Sequence, residues 1–176
     1  MKGVKGWLKE IIIACVMVLL IMTFIKPTVV RENSMMPTLH NNDYIFLSRQ
    51  AYLFSDPRVG DIVVFNSESY TESGERKLFI KRVIALPGDR ITISNGNVYI
   101  NDLLKDEPYL YGRETIGNID NAVVPEGTVF VMGDNRRVSI DSRSDEVGWV
   151  SMNDIVGRAF FRLYPFNTIG TLNRQL

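Results

Sequence analysis

Hydrophobic and polar residues follow two regimes along this chain. From Ile11 to Ile25 the sequence carries no charge, and Trp7 and Leu8 extend the apolar character one turn upstream across Lys9 and Glu10. A helix crossing a bilayer needs about 20 apolar residues. Lys9 and Lys26 can snorkel toward opposite headgroup layers with Trp7 at the interface, so the combined stretch can cross with modest thinning of the bilayer. The pattern predicts one transmembrane helix over residues 10–28. Beyond it the period falls to two: Asp43–Ser48, Asp61–Phe65 and Thr128–Met132 are short β-branched and aromatic runs bounded by turn residues, which predict strands. Ile91–Ile100 predicts a hairpin, because apolar residues alternate on both sides of Asn95-Gly96, a pair that accepts the positive φ angles of a tight turn. Residues 67–77 and 104–125 are polar or glycine- and proline-rich without a sustained period and read as loops.

Three segments follow: a short cytoplasmic N-terminus (1–9), the transmembrane helix (10–28) and an extracytoplasmic β-rich domain (29–176). Lys2, Lys5 and Lys9 precede the helix and set this orientation by the positive-inside tendency, although Lys26 and Arg31 beyond it weaken the asymmetry. A removable signal peptide would share the basic start and apolar run. Residues 26–33, however, offer no small-x-small cleavage site, which favours a retained anchor in the cell membrane. The external part, about 150 residues, suits one domain with a real core.

Composition removes several chemistries. Lys plus Arg and Asp plus Glu are both 20, so net charge gives no sign of a nucleic-acid partner. The only cysteine, Cys15, lies in the apolar run, so no intrachain disulfide is possible and a thiolate zinc site is excluded. His40 is the only histidine, which rules out a multi-histidine metal site, and no GxGxxG or P-loop occurs. No metal or cofactor is expected. A Ser-His-Asp triad through His40, six residues after Ser34, remains formally open, although a histidine in so short a loop is more often a surface residue.

Lysine is the other side chain able to serve as a base for serine, provided its pKa is lowered. Strand alternation in Leu78–Leu86 puts Phe79, Lys81 and Val83 on one face and Ile80, Arg82 and Ile84 on the other, so Lys81 points among apolar neighbours. Desolvation disfavours the ammonium form, and a drop of about 2 to 3 pH units, roughly 3 to 4 kcal/mol, is within what burial supplies. The bland alternative is an edge lysine whose stem covers apolar surface while its head reaches water.

Four segments then occur in order: Ser34–Leu39 (Ser-Met-Met-Pro-Thr-Leu), Gly60–Phe65 (Gly-Asp-Ile-Val-Val-Phe), Lys81–Asp89 (Lys-Arg-Val-Ile-Ala-Leu-Pro-Gly-Asp) and Gly133–Arg143 (Gly-Asp-Asn-Arg-Arg-Val-Ser-Ile-Asp-Ser-Arg). Behind a membrane helix they resemble the sequence boxes of bacterial type I signal peptidases, in the compact form of Gram-positive bacteria, over nearly the whole chain. The resemblance implies a mainly β fold: an antiparallel β-sheet catalytic domain of the signal-peptidase type behind one N-terminal transmembrane helix. It implies a serine endopeptidase in which Ser34 matches the nucleophile, Lys81 the general base and Ser139 the serine that orients the lysine amine. The backbone N–H of Ser34 matches one oxyanion donor. Arg82, Asp134, Asp141 and Arg143 match charges that brace the site, for which plain surface salt bridges are the alternative. Met35 and Leu39 match positions near the shallow substrate pocket, to which Phe79 and Ile80 beside the lysine are assigned as well. Implied substrates are secretory preproteins cut after small-x-small, typically Ala-x-Ala, sites.

Three positions depart from the family pattern. Asn33 stands where glycine commonly precedes the nucleophile, and asparagine is among the better residues for a left-handed conformation there. Glu32 replaces a serine that in some members donates to the oxyanion, which an ionised carboxylate cannot do. Ala85 replaces a common glycine. Chain reach gives a geometric reason for the substrate class: Lys26 to Ser34 spans at most about 25 to 30 Å extended, which keeps Ser34 near the outer leaflet and near a substrate still held by its signal helix. Such a substrate is expected to lie extended along a strand edge with alternate small side chains in two pockets. Trp149, Phe160, Phe161, Tyr164 and Phe166 are available for the lipid interface or for core packing. Two rival readings are a Ser-Lys self-cleaving protease related to the SOS repressor family and a membrane-anchored β-domain that binds peptides without turnover.

Overall fold

A computed structural model of the protein describes residues 4–112 and 114–172. Lys2 lies outside the described residues. Among the described residues one α-helix, α1, runs Val4–Phe24, and the stretch Gly6–Phe24 is long and apolar enough to cross a membrane, with none of it buried against the rest of the chain. Cys15 is exposed on this helix. The helix starts earlier and stops sooner than residues 10–28. At Ile25 the backbone turns directly into strand β1 (Ile25–Val29), in register with β2 (Tyr44–Ser48) from Ile25↔Ser48 to Val29↔Tyr44. Pro27 accounts for the switch, since it disfavours helical geometry at Lys26 and lacks an N–H, a loss tolerated on the edge strand that β1 is.

The rest is mainly antiparallel β. In chain order come β3 (Ile62–Tyr70), β4 (Arg76–Ala85), β5 (Arg90–Ser94), β6 (Asn97–Ile100), β7 (Leu103–Leu104), β8 (Ile119–Val123), β9 (Thr128–Met132), β10 (Val150–Ser151), β11 (Ile155–Tyr164) and β12 (Gly170–Thr171). Among the described residues, eight strands form one sheet in the order β1-β2-β11-β3-β4-β9-β10 with β12 beside β11, and four form a smaller sheet, β7-β6-β5-β8. The Asn95-Gly96 hairpin is present, with both residues at positive φ.

Alternation explains the core. In β3, Ile62 and Val64 join a cluster with Val30, Met35, Leu39 and Ile80, while Val63 and Phe65 join Val83, Val129 and Val131 on the opposite face. In β9, Val129 and Val131 face that second cluster, and Phe130 and Met132 face a third with Ile84, Ile91, Ile93 and Tyr109, which joins the two sheets. Central strands buried on both faces are therefore almost continuously apolar.

Both expected loops are partly strand. Residues 67–77 form the tip of the β3–β4 hairpin, closed by Thr71 N–H to Glu75 O (2.7 Å) and by Gly74 at φ +80°. Arg76 fastens that tip by donating to Ser67 O and to Asp154. Residues 104–125 contain β8, which pairs with β5 despite carrying Asp120 and Asn121, because one of its faces is open to water. The aromatic set divides: Trp149 meets Phe130 edge to face, Phe161 stacks on Phe46, and Tyr164 sits edge-on between Tyr44 and Phe166.

Where β11 passes β2, Gly157 lets the backbones approach closely; a Cβ there would stand 2.6 Å from Ser48 O and 3.1 Å from Ser48 C. Backbone atoms cannot step aside as a side chain can. Gly157→Ala is expected to cost about 1 to 3 kcal/mol through overpacking, read as a lowered thermal midpoint of the full-length protein in detergent; an unchanged midpoint would contradict this.

Candidate active site

The segment between β1 and β2 folds back over the apolar face of the large sheet, with Val30, Met35 and Leu39 buried in its first cluster. Those anchors leave Ser34 at the inner surface of the turn, 5% exposed. The chain bends there through Glu32, which has φ +69° and donates its N–H to Asn41 Oδ1 (3.0 Å). The left-handed residue is therefore Glu32 and not Asn33. Asn33 instead accepts from Asn41 N–H through its side chain, which ties the two arms of the loop together.

Lys81 reaches this serine from β4. Its Nζ lies 2.9 Å from Ser34 Oγ and 3.1 Å from Ile80 O, and 5.2 Å from the centroid of the Phe79 ring, with the residue 4% exposed. Burial pulls its pKa down from 10.5 to about 8, and the negative charges of Asp141, Glu32 and Asp134 limit the fall. The stem therefore does not carry the head to water. His40 is exposed, and its backbone N–H donates to Asp43 Oδ2. Lysine, not histidine, stands beside the hydroxyl.

The expected bracing charges are buried ion pairs rather than surface ones. Arg82 and Asp134 have fully buried side chains and meet in a fork, Nε to Oδ1 at 2.8 Å and Nη2 to Oδ2 at 2.7 Å. Arg82 also donates to Gly60 O and Thr38 Oγ1, and its guanidinium lies 4.0 Å from the Tyr109 ring centroid. Thr38 in turn donates to Asp134, which ties the Ser34 loop to the pair. Arg143 donates to Asp141 through Nε (2.8 Å), and Asp141 accepts from Gly133 N–H (3.0 Å).

Ser139 differs from expectation. Its Oγ is buried and has no hydrogen-bond partner, so it does not hold the Lys81 amine in this structure. Gly133 lies against it: a Cβ added at Gly133 would be 2.3 Å from Ser139 Oγ and 2.4 Å from Ser34 O, so the lack of a side chain there lets the Ser139 segment and the nucleophile loop meet. Met35 and Leu39 are also corrected, because both are buried in the core rather than lining the cleft beside Ser34 and Lys81. Phe79 and Ile80 do line that cleft, a space of about 400 Å³ between Thr28–Glu32 and residues 75–81, floored by Ile45 and Val64, with Ser34 and Lys81 among its walls.

Asn135, unremarked as a site residue in the sequence, clamps the Ser34 loop. Its N–H donates to Ser34 O (3.0 Å) and its Nδ2 to Asn33 O (3.2 Å). Its place beside Asp134 in the Gly133–Arg143 segment is the only signal that pointed to it. Among the described residues no cluster of His, Cys, Asp and Glu suits a metal. A hydroxyl beside a partly deprotonated amine, at the wall of an open cleft, is equipped for nucleophilic attack on a carbonyl.

The profile of the family described as signal peptidase, peptidase S26, matches residues 4–164. The chain is 38% identical to signal peptidase I S of Bacillus subtilis, over 98% of this chain and 95% of that protein. It is 39% identical to a signal peptidase I of Bacillus amyloliquefaciens, over 95% and 91%, and 37% identical to probable signal peptidase I-1 of Synechocystis, over 96% and 87%. A solved signal peptidase I from Enterococcus faecalis aligns with a TM-score of 0.48 at 29% identity, covering 59% of this chain and 97% of that one.

Burying Lys81 has a measurable cost. Below pH 8 both folded and unfolded chains hold its proton and the folded state bears the full penalty; between 8 and 10.5 the folded chain releases the proton first and the penalty fades; above 10.5 it is gone. Lys81→Met should therefore stabilise the protein at pH 7 by up to about 3 kcal/mol, with the gain shrinking as pH rises through that window. Denaturant titrations at several pH values test this, and a gain independent of pH would refute the assignment.

Proposed function

The chain belongs to the signal peptidase family, peptidase S26, and on that premise we propose that it cleaves signal peptides from secretory preproteins with Ser34 as nucleophile and Lys81 as general base. The observation that carries this reading is the 2.9 Å contact between Lys81 Nζ and Ser34 Oγ inside a buried site. Neutral Lys81 takes the hydroxyl proton as Ser34 Oγ bonds to the scissile carbonyl carbon. The resulting ammonium protonates the departing amine as the C–N bond breaks, which leaves an ester on Ser34. The lysine, neutral again, then takes a proton from the water that hydrolyses that ester.

Among the described residues nothing accepts the Ser34 N–H, which leaves it free to donate to the oxyanion. Asn135, Thr38 and the Arg82–Asp134 pair hold the loop that aims it. Ser139 serves as an orienting residue if its unpartnered hydroxyl turns to the amine when substrate closes the cleft. Asp141 and Arg143 set the charge around the lysine, and Phe79 and Ile80 form apolar wall for small substrate side chains. The substrate lies extended in the cleft between the end of β1 and the start of β4, cut after Ala-x-Ala-like sites. In this reading α1 crosses the cell membrane with its N-terminus in the cytoplasm, and the β-rich domain stands outside against lipid. No metal or cofactor enters any step.

Purified protein should cleave a preprotein bearing an Ala-x-Ala site, and both Ser34→Ala and Lys81→Ala should lose roughly a thousandfold or more in kcat/KM. Full turnover in Lys81→Ala would discard lysine as the base and turn attention to His40. The pH-rate profile supplies a separate test: with the base at about 8, acylation should climb about tenfold per pH unit below that value and level off above it. A midpoint near 6.5, as for an imidazole, would contradict the mechanism.

A further inference from the structure

We propose that the β2–β3 connection, residues 49–58, is a second membrane contact, with Leu53 and Phe54 inserted into the lipid interface beside the end of α1. The proposal rests on the reading of α1 as a membrane span. Its position follows from hydrogen bonds: Arg49 N–H donates to Phe24 O (3.1 Å), so the connection starts against the last residue of the helix. The sheet agrees, since Ile25, the first residue after the helix, pairs with Ser48, and Ser48 pairs on its other side with Arg158 of β11. A backbone bonded to the end of a spanning helix lies at the level of the headgroups.

The connection is built to present its tip. Tyr52 turns inward, packs against the cluster of Val63 and Phe65 and donates from its hydroxyl to Asp61 Oδ2 (3.0 Å). Leu53 N–H donates to Gln50 O and Ser55 Oγ to Ala51 O, which close the turn. The next two side chains point the other way: Leu53 is 61% exposed and Phe54 99% exposed. An ordered turn that offers water a whole phenyl ring loses the hydrophobic stabilisation that ring would supply when buried. Arg49 and Arg58, both exposed, flank the tip and outnumber its one exposed acid, Asp56, while Arg158 on the neighbouring strand is held by Asp61 (3.6 Å). Apolar tip and basic shoulders are the arrangement that suits an anionic lipid surface, with rings among the acyl chains and guanidinium groups among phosphates. Lipid, rather than a second protein, is the occupant because the tip continues the surface that α1 already commits to the bilayer.

The lone cysteine makes the test clean. Full-length protein carries an environment-sensitive fluorophore on native Cys15, or, in Cys15→Ser protein, on Phe54→Cys or on Leu103→Cys. Leu103 is an exposed apolar control on β7, the outer strand of the small sheet. Each is reconstituted into phosphatidylcholine–phosphatidylglycerol vesicles with lipids spin-labelled at shallow or deep acyl carbons. Expected is deep quenching at position 15 and shallow quenching at position 54 at least about twofold above that at position 103. Deep quenching at 15 with position 54 no different from 103 overturns the proposal and leaves the span intact. No quenching at 15 removes the span reading and the proposal with it. Blue-shifted emission at 54 that ignores the spin labels assigns the tip to a protein contact such as a second copy, which also overturns the proposal.

Discussion

An amine can take a proton from serine only if water is kept from stabilising its charged form, and the Lys81 Nζ–Ser34 Oγ contact at 2.9 Å exists under that constraint. The surrounding architecture answers to it. Phe79 and Ile80 exclude water from the lysine head, while the Ser34 loop is pinned to the sheet by Val30, Met35 and Leu39, so the two groups meet in a place solvent hardly enters. Desolvation alone would carry the pKa further down. Asp141, Glu32 and Asp134 oppose it and hold the value at about 8.

The same low-dielectric surroundings explain why the neighbouring charges come in hydrogen-bonded pairs. Arg82 and Asp134 are both removed from water, so each needs the other; with one partner missing, an uncompensated charge would remain beside the dyad. Their fork satisfies both carboxylate oxygens, and Thr38 extends it into the Ser34 loop. Arg143 and Asp141 do the equivalent for the segment that carries Gly133 and Ser139. The pairs join distant stretches of sequence around one small volume, a role that does not depend on any net contribution to stability.

How far the sequence disclosed all this varies with the range of the interaction involved. The Asn95-Gly96 hairpin and β9 were legible because turn chemistry and period-two alternation are local. β8 and the outer halves of β3 and β4 were not, since Asp120, Ser67 and Ser69 look like loop residues until a partner strand is supplied. β11 was not legible as a strand either, because Phe160, Phe161 and Tyr164 suit the lipid interface or core packing alike until β2 and β3 are placed on its two sides. Ser34 and Lys81 stood out as residue types in a recognisable series. Met35 and Leu39 were misassigned because adjacency to a nucleophile in sequence says nothing about which side of the turn a side chain takes. Asn135 acts through its backbone and an amide, and neither leaves a mark that composition or spacing can reveal.

No spacer separates Phe24 from Ile25: the helix stops and a strand already paired with β2 begins. A hinge at that point would let the β-rich domain wander, and the height of the serine over the lipid would be an average. Joined this way, and with α1 in the bilayer as proposed, the sheet would work as a ruler. Of the sites a translocating chain offers, it would favour the one that a signal helix seated in the same leaflet holds at the matching elevation.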